Sequence, residues 1–466
     1  MSLVQGIRDV FRLPDLRRRV LLTIGLLVLF RLAANIPVPG VDRVQLAAAL
    51  DPATAGSNFI QVLNLLSGGA VGRFSVLAMG VYPYITASII IQILTPFVPA
   101  LEELQKQGQQ GRQIIERWTM IFSIPLAMFQ SVSQVNIFAS ILGVPPSAIV
   151  TGYGDDTIVT MMVIFTMTAG TMFSIWIGEL ITKDGIGNGL SLIIFAGIMA
   201  QVPQSINLLI FSGTTGTTLP TIEIVRNLTV FIIIGLLTLF VIVIVSEGQR
   251  RIPVKYGKRV RGMKMYGGGS TYLPLKVNYA GMIPLIFAQA VLTFPAVFAG
   301  FFANSEVPWI AGSASTVTNI FGAQGGIAIP GRVVYWVFYF AMVVGFTYLY
   351  TSIMIKNQNF AENLQRNGGF IPGVRPGKKT EEFINQVVNR ITLVSALFLG
   401  ILAIIPGIVG ISLDLLQPGT GTGQQLQTSL IIVGGGGLII VVGVVLDTMR
   451  QLEAQLVMRN RESFIR

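Results

Sequence analysis

Ten long apolar stretches interrupt this chain, and 27 of its 32 lysines and arginines lie in alternate segments between them. That alternation constrains the fold more than any single motif. A helix needs about 20 predominantly apolar residues to cross the hydrocarbon core of a bilayer. The stretches lie near 20–36, 75–95, 118–141, 157–180, 187–209, 224–246, 279–302, 332–355, 391–411 and 428–449. Cations gather before the first stretch, after every even-numbered one and at the C-terminal end. Only Arg31, Arg43, Arg73, Arg226 and Arg332 fall on the other side. Basic loops remain in the cytoplasm, so both termini are expected there. A wrong number of spans would scramble the alternation. The predicted class is an all-α polytopic membrane protein with ten transmembrane helices.

Composition agrees. Hydrophobic residues make up 52% of the chain and charged residues only 11%, against about 25% charged in a soluble domain, and the mean hydropathy is +0.70. Cysteine and histidine are both absent. This excludes zinc sites built on those ligands, cysteine nucleophiles and histidine general bases. No cofactor is expected. The formal charge of +11 suits an anionic partner, and its position matters more than its size.

The first stretch admits two readings. Val20–Phe30 follows three arginines and precedes small residues, as in a signal peptide. It also continues through Leu32–Ile36 into the turn at Pro37, Pro39 and Gly40, as a first span would. The span is favoured because nine more follow. The apolar segment Asn58–Leu66 is too short to cross. It reads either as a surface amphipathic helix or as a short helix folded back into the protein with Gly68 and Gly69 as hinge.

Ionisable residues are almost missing from the span centres. Glu179, Glu247 and Asp447 sit at span ends, whereas ion-coupled transporters keep such groups at mid-depth. Aliphatic residues at mid-depth suit a constriction that gates by dewetting. Pro83, Pro125, Pro284, Pro295, Pro406 and the run Gly434–Gly437 interrupt spans; ordinary packing explains most of them, and the glycine run also permits unwinding. Asp155 and Asp156 read as solvated. Gly185-Ile-Gly-Asn-Gly189 reads as a tight turn with Asn188 near a helix cap.

Two basic segments stand out. The loop at 247–278 holds eight cations together with Tyr256, Tyr266 and Tyr272. The loop at 356–390 contains Gly368-Gly-Phe-Ile-Pro-Gly-Val-Arg-Pro-Gly377, whose turn residues predict a tight hairpin with Arg375 at its tip. A rigid, protruding cation suits RNA phosphate or an acidic protein surface. Orientation of the chain in the membrane is the plainer role for these charges.

Gly80-Val-Tyr-Pro-Tyr-Ile-Thr-Ala-Ser-Ile-Ile-Ile-Gln92, Gly185–Gly197, Gly248-Gln-Arg-Arg-Ile-Pro253, Leu273-Pro-Leu-Lys-Val-Asn278 and Gly369–Gly377 together resemble the SecY family of protein-conducting channels, in order and over essentially the whole chain. The resemblance implies two inverted halves of five spans around an hourglass pore, residues 1–209 and 210–466. It implies a plug near 57–71, including Asn64, Leu65, Leu66, Ser67, Gly68 and Gly69. It implies a pore ring of Val81, Ile85, Ile194, Ile286 and Ile440, with Ala290 where a sixth large residue is expected. Gln92 matches a polar position of a lateral gate between spans two and three and spans seven and eight. Arg250, Arg251 and Arg375 match loop residues that bind the SecA ATPase and the ribosome through rRNA phosphates. The implied partners are SecE and SecG, SecA, the ribosome, signal peptides and nascent chains, and the lipid bilayer. The implied activity is passage of unfolded preproteins across, and of membrane proteins into, the cytoplasmic membrane of a bacterium, without catalysis by this chain. A secondary transporter of a small solute is the main rival. A membrane-embedded enzyme lacks any convergent acid–base pair.

Overall fold

The computed structural model describes residues 14–41, 70, 74–95, 98–142, 145–203, 206, 210, 221–256, 259–261, 264–266, 269–300, 302, 307–317, 320–321, 329–358, 360–416 and 436–463. The first half contributes α1 (Pro14–Ala33), α2 (Tyr82–Leu94), α3 (Pro99–Lys106), α4 (Gln109–Leu142), the short α5 (Pro146–Ile149), α6 (Thr157–Asp184) and α7 (Gly189–Met199). The second contributes α8 (Thr221–Glu247), α9 (Ile283–Gly300), α10 (Pro308–Val317), α11 (Ile329–Gln358), α12 (Phe360–Arg366), α13 (Lys378–Leu416) and α14 (Gly436–Ser463). Between α8 and α9 lie β1 (Gln249–Tyr256), β2 (Arg259–Arg261), β3 (Lys264–Tyr266) and β4 (Ser270–Lys276), and β5 (Gly369–Phe370) follows α12.

Among the described residues, four helices are long and apolar enough to cross a membrane, and a fifth results if α2 and the following bent segment count as one. The apolar parts of α7 and α9 are shorter. The expected second stretch, 75–95, is helical only from Tyr82, because residues 74–81 form turns. Two of them take left-handed backbone angles, Phe74 at φ 43° and Gly80 at φ 50°. Val38 N–H donates to the Phe74 carbonyl at 2.9 Å and Val76 N–H to the Ile36 carbonyl at 2.9 Å, tying this segment to the chain that follows α1. Helix α2 then opens with Pro83, where a missing N–H costs no helical bond.

Three apolar cores organise the helices. One joins α4 and α6 with the turns at 38, 74–79 and 149–153, through Ala127, Val135, Val163, Met167 and Phe74. A second joins α8, α9, α11, α13 and α14 through Ile242, Leu285, Tyr339, Leu399 and Ile439. The third lies between them and draws on both, from Phe30 and Leu77 to Ile194, Ile286 and Val444. Lipid tails are as apolar as leucine, so close packing rather than water exclusion holds such helices together. The α6–α7 hairpin shows how close. A Cβ added at Gly189 would sit 1.9 Å from the Gly178 carbonyl oxygen, so only glycine fits. Asn188 caps α7 by accepting from Ser191 N–H at 3.1 Å, and Thr182 Oγ1 accepts from Gly189 N–H at 2.9 Å.

Candidate functional site

The five residues matched to a ring come together. Val81, Ile194, Ile286 and Ile440 are buried members of the third core, and Ile85 packs against it half-buried. They arrive on four elements: the start of α2, α7, α9 and α14. The buried core around them is aliphatic except for Phe30, with Leu77, Ile181, Ile193, Ile198 and Val444 among its members. Of residues 57–71 the structure describes only Ala70, which is fully buried in this same core. Asn64, Leu65, Leu66, Ser67, Gly68 and Gly69 lie outside the described residues.

Ala290 belongs elsewhere. It is buried with Ile89, Ala280, Phe287 and Tyr350 in a seam where α2 meets α9 and α11. Phe287 sets its edge against Phe346 and Tyr350, with ring centroids 6.0 and 6.1 Å apart. The Tyr82 hydroxyl crosses this seam and donates to the Ala290 carbonyl at 3.4 Å. Gln92 does not cross it: its amide donates to Ser88 Oγ of its own helix at 2.9 Å. Gln130 of α4 reaches Thr86 of α2 at 3.5 Å. The buried Gln130 Oε1, Ser133 Oγ and Gln134 Nε2 find no partner among the described residues. The sequence reading missed Tyr82, Gln130 and Gln134. Their polar types within apolar stretches were the available signal.

The two basic loops form one structure. β1 pairs antiparallel with β4 from Gln249↔Lys276 to Lys255↔Ser270, and β5 pairs with the far end of β1 through Lys255↔Phe370 and Tyr256↔Gly369. The sheet order is therefore β4-β1-β5. Alternation along β1 turns Ile252 and Val254 inward. They share a core with Leu275 of β4 and with Leu364, Ile371, Ile384 and Val388, which the second loop and α13 contribute. On the outer face Arg251 and Lys255 lie beside Tyr272, 62% exposed, and Phe370, 39% exposed. Arg250 is exposed on the same strand.

Residues 368–377 were expected to close on themselves as a hairpin; instead Gly369 and Phe370 take β1 as their strand partner. The turn beyond them uses left-handed Gly373 at φ 84° and Gly377 at φ 97°. Ile371 and Val374 anchor it to the shared core, leaving Arg375 exposed. The Thr380 hydroxyl donates to the Arg375 carbonyl at 2.9 Å, fixing the backbone where α13 begins. With 39 residues, α13 is about 58 Å long at 1.5 Å per residue, twice the hydrocarbon thickness of about 30 Å. One helix therefore runs from the sheet into the second-half core, from Ile384 to Leu402.

Among the described residues no group of acidic side chains could hold a metal ion. The arrangement offers an aliphatic centre between two helical cores, a seam beside it and a rigid basic platform at one end.

Comparison with known proteins is consistent with this geometry. The SecY family model matches residues 75–449. The protein translocase subunit SecY of Mycobacterium tuberculosis is 39% identical over 461 residues, covering 98% of each chain. That of Streptomyces coelicolor is 37% identical over 469 residues with the same coverage. Among solved structures, one described as a protein-conducting channel has a TM-score of 0.60 at 20% identity, covering 97% of both chains. Sec61 in the canine ribosome-channel complex has a TM-score of 0.58 at 19% identity, again over 97% of both. At these identities the structures speak to fold, while the family model and the full-length relatives speak to descent. By the family model and the full-length relatives, this chain belongs to the SecY family.

Proposed function

We propose that this chain is the channel-forming subunit of a protein translocase in the cytoplasmic membrane of a bacterium, passing unfolded preproteins across and releasing apolar segments sideways into lipid. The carrying observation is that Val81, Ile85, Ile194, Ile286 and Ile440, from four elements and both halves of the chain, share one buried aliphatic core. Family membership and the names of the relatives support the reading.

In this reading the five side chains form a ring that water leaves when no peptide is present. A passing polypeptide spreads them and touches them only by dispersion contacts, so sequence matters little. The segment 57–71 is the plug, and Ala70 packed against the ring fits that role. The α2–α9–α11 seam is the lateral gate. Each Leu-like residue favours lipid by about 0.5 kcal/mol, so a stretch of about 20 leaves through the gate by several kcal/mol. Ten spans in two inverted halves, 1–209 and 210–466, with both termini cytoplasmic, place the basic platform in the cytoplasm. There Arg250, Arg251 and Arg375 dock the SecA ATPase or the ribosome through phosphates or acidic side chains. SecE and SecG are the expected membrane partners. The chain itself hydrolyses nothing.

Vesicles containing this chain with its small partner subunits test the reading. A signal-bearing preprotein should become protease-protected when the motor ATPase and ATP are added. Failure of import, with uptake of a small solute in the absence of the motor, would favour a secondary transporter instead.

A further inference from the structure

A cavity of about 220 Å³ opens between α8, α9, α11 and α14, on the platform side of the central core. Its lining includes Lys276, Met282, Met354, Gly443, Asp447 and Arg450. Two observations place it next to the ring. Met282 lines the cavity and also packs against the core that holds Ile286 and Ile440. On α14, Ile440, Gly443, Asp447 and Arg450 follow one another at helical spacing along one face. The lining carries the cations Lys276 and Arg450 and the carboxylate Asp447, with Glu247 beside it, and these charges are not paired one to one. Glu247 lies 2.7 Å from Arg450, and Asp447 lies 3.8 Å from it, so both carboxylates are directed at the arginine. Lys276 ends β4 half-buried, with no ion pair among the described residues. The turn after it is held rigid, because Asn278 Oδ1 accepts from Gly281 N–H at 2.9 Å and from Ser395 Oγ at 3.4 Å. The lysine is thus presented from a fixed strand end. The methionines Met282 and Met354 give walls that adapt to different neighbouring side chains.

We infer that this cavity is a side-chain subsite on the path into the ring, where Lys276 pairs with aspartate and glutamate side chains of the translocating polypeptide. The inference rests on the channel reading above. The pairing is weak: Lys276 is only half-buried, and an incompletely desolvated ion pair changes an occupancy by a factor of about two to five. It detains acidic residues briefly and leaves other residues to pass.

The test uses the complete translocase in vesicles, without a membrane potential, and three versions of one preprotein carrying a short tract of Asp, Ser or Lys. The readout is passage time of each tract relative to the Ser tract, a ratio that cancels any general loss of activity. In the wild type the Asp tract should take about two to five times longer than Ser. Lys276→Arg should retain the delay, Lys276→Gln should abolish it, and Lys276→Glu should transfer it to the Lys tract. Equal passage of Asp and Ser tracts in the wild type overturns the inference, and so does an Asp delay that survives Lys276→Gln. If Lys276→Gln fails to assemble, crosslinking decides. A photoreactive residue beside a stalled Asp tract in the wild-type channel should label Met282 or Met354, and labelling no stronger than from a Ser tract overturns the inference. Failure of the Ser tract itself to cross the wild-type channel would instead count against the channel reading.

Discussion

The central aliphatic core and the basic platform are both assembled from distant parts of the chain, but by opposite means. The core joins residues 81, 85, 194, 286 and 440 by side-chain packing alone. The platform joins residues 249–276 to 369–370 by backbone ladders and then seals the joint with its own small apolar core. Packing of aliphatic groups has no directional bonds, so it can deform and re-form. Hydrogen-bonded strands hold a fixed register, which suits cations that must meet a partner's charges at set positions. The contrast teaches that two regions of this protein are held by different interactions, and that α13 ties the platform to the second-half core rather than to the central one.

The sharpest test of that contrast acts on helix approach. Gly189→Val places a Cβ 1.9 Å from the Gly178 carbonyl oxygen. Overpacking of this severity should cost about 3 kcal/mol or more. The helical cores should lose protease resistance, and a variant that accumulates normally would show that α6 and α7 can part freely. Next, Val254→Asp buries a carboxylate in the platform core at a cost of about 3 kcal/mol. Limited proteolysis should then cut both basic loops at once. Cleavage confined to 247–278 would mean that the two loops are independent. Ile440→Asn puts an amide into the aliphatic centre for about 2 kcal/mol. Ion leak through reconstituted channels should rise about tenfold, and precursors with defective signals should pass. An unchanged leak removes Ile440 from the ring. Arg375→Glu should leave folding intact and weaken ribosome or motor docking about tenfold at low salt, with the difference shrinking as salt rises. Docking that is indifferent to this reversal leaves the loop as a topology signal only. At the small end, Arg366→Ala breaks a 2.7 Å pair to Glu362 whose side chains are 74% and 58% exposed, and thermal stability should move by less than about 0.5 kcal/mol.

Particular residues show what could be read in advance. Asn188 was legible as a cap because capping depends on residues a few positions apart. The long helices α6, α8, α11 and α13 were legible because apolar length is a local property. The late start of α2 was not, since Val76–Met79 and Val81 are as apolar as the helix that follows; backbone bonds to residues 36 and 38 hold the segment in turns. The hairpin expected at 368–377 was half right. Its glycines do turn the chain, but its strand partner comes from the other loop. A sixth ring position was left open at Ala290, one helical turn beyond Ile286, and the structure buries Ala290 in the seam under Tyr82.

The sequence by itself determined that this chain lives in a membrane, roughly where its helices run, and which loops carry its charge. These follow from runs of apolar and basic residues, which act wherever the chain goes. Only the tertiary structure decided that five scattered aliphatic residues share one core and that two separate loops make one sheet. Those outcomes depend on which surfaces fit each other at close range, and complementary shape leaves no periodic trace along the chain.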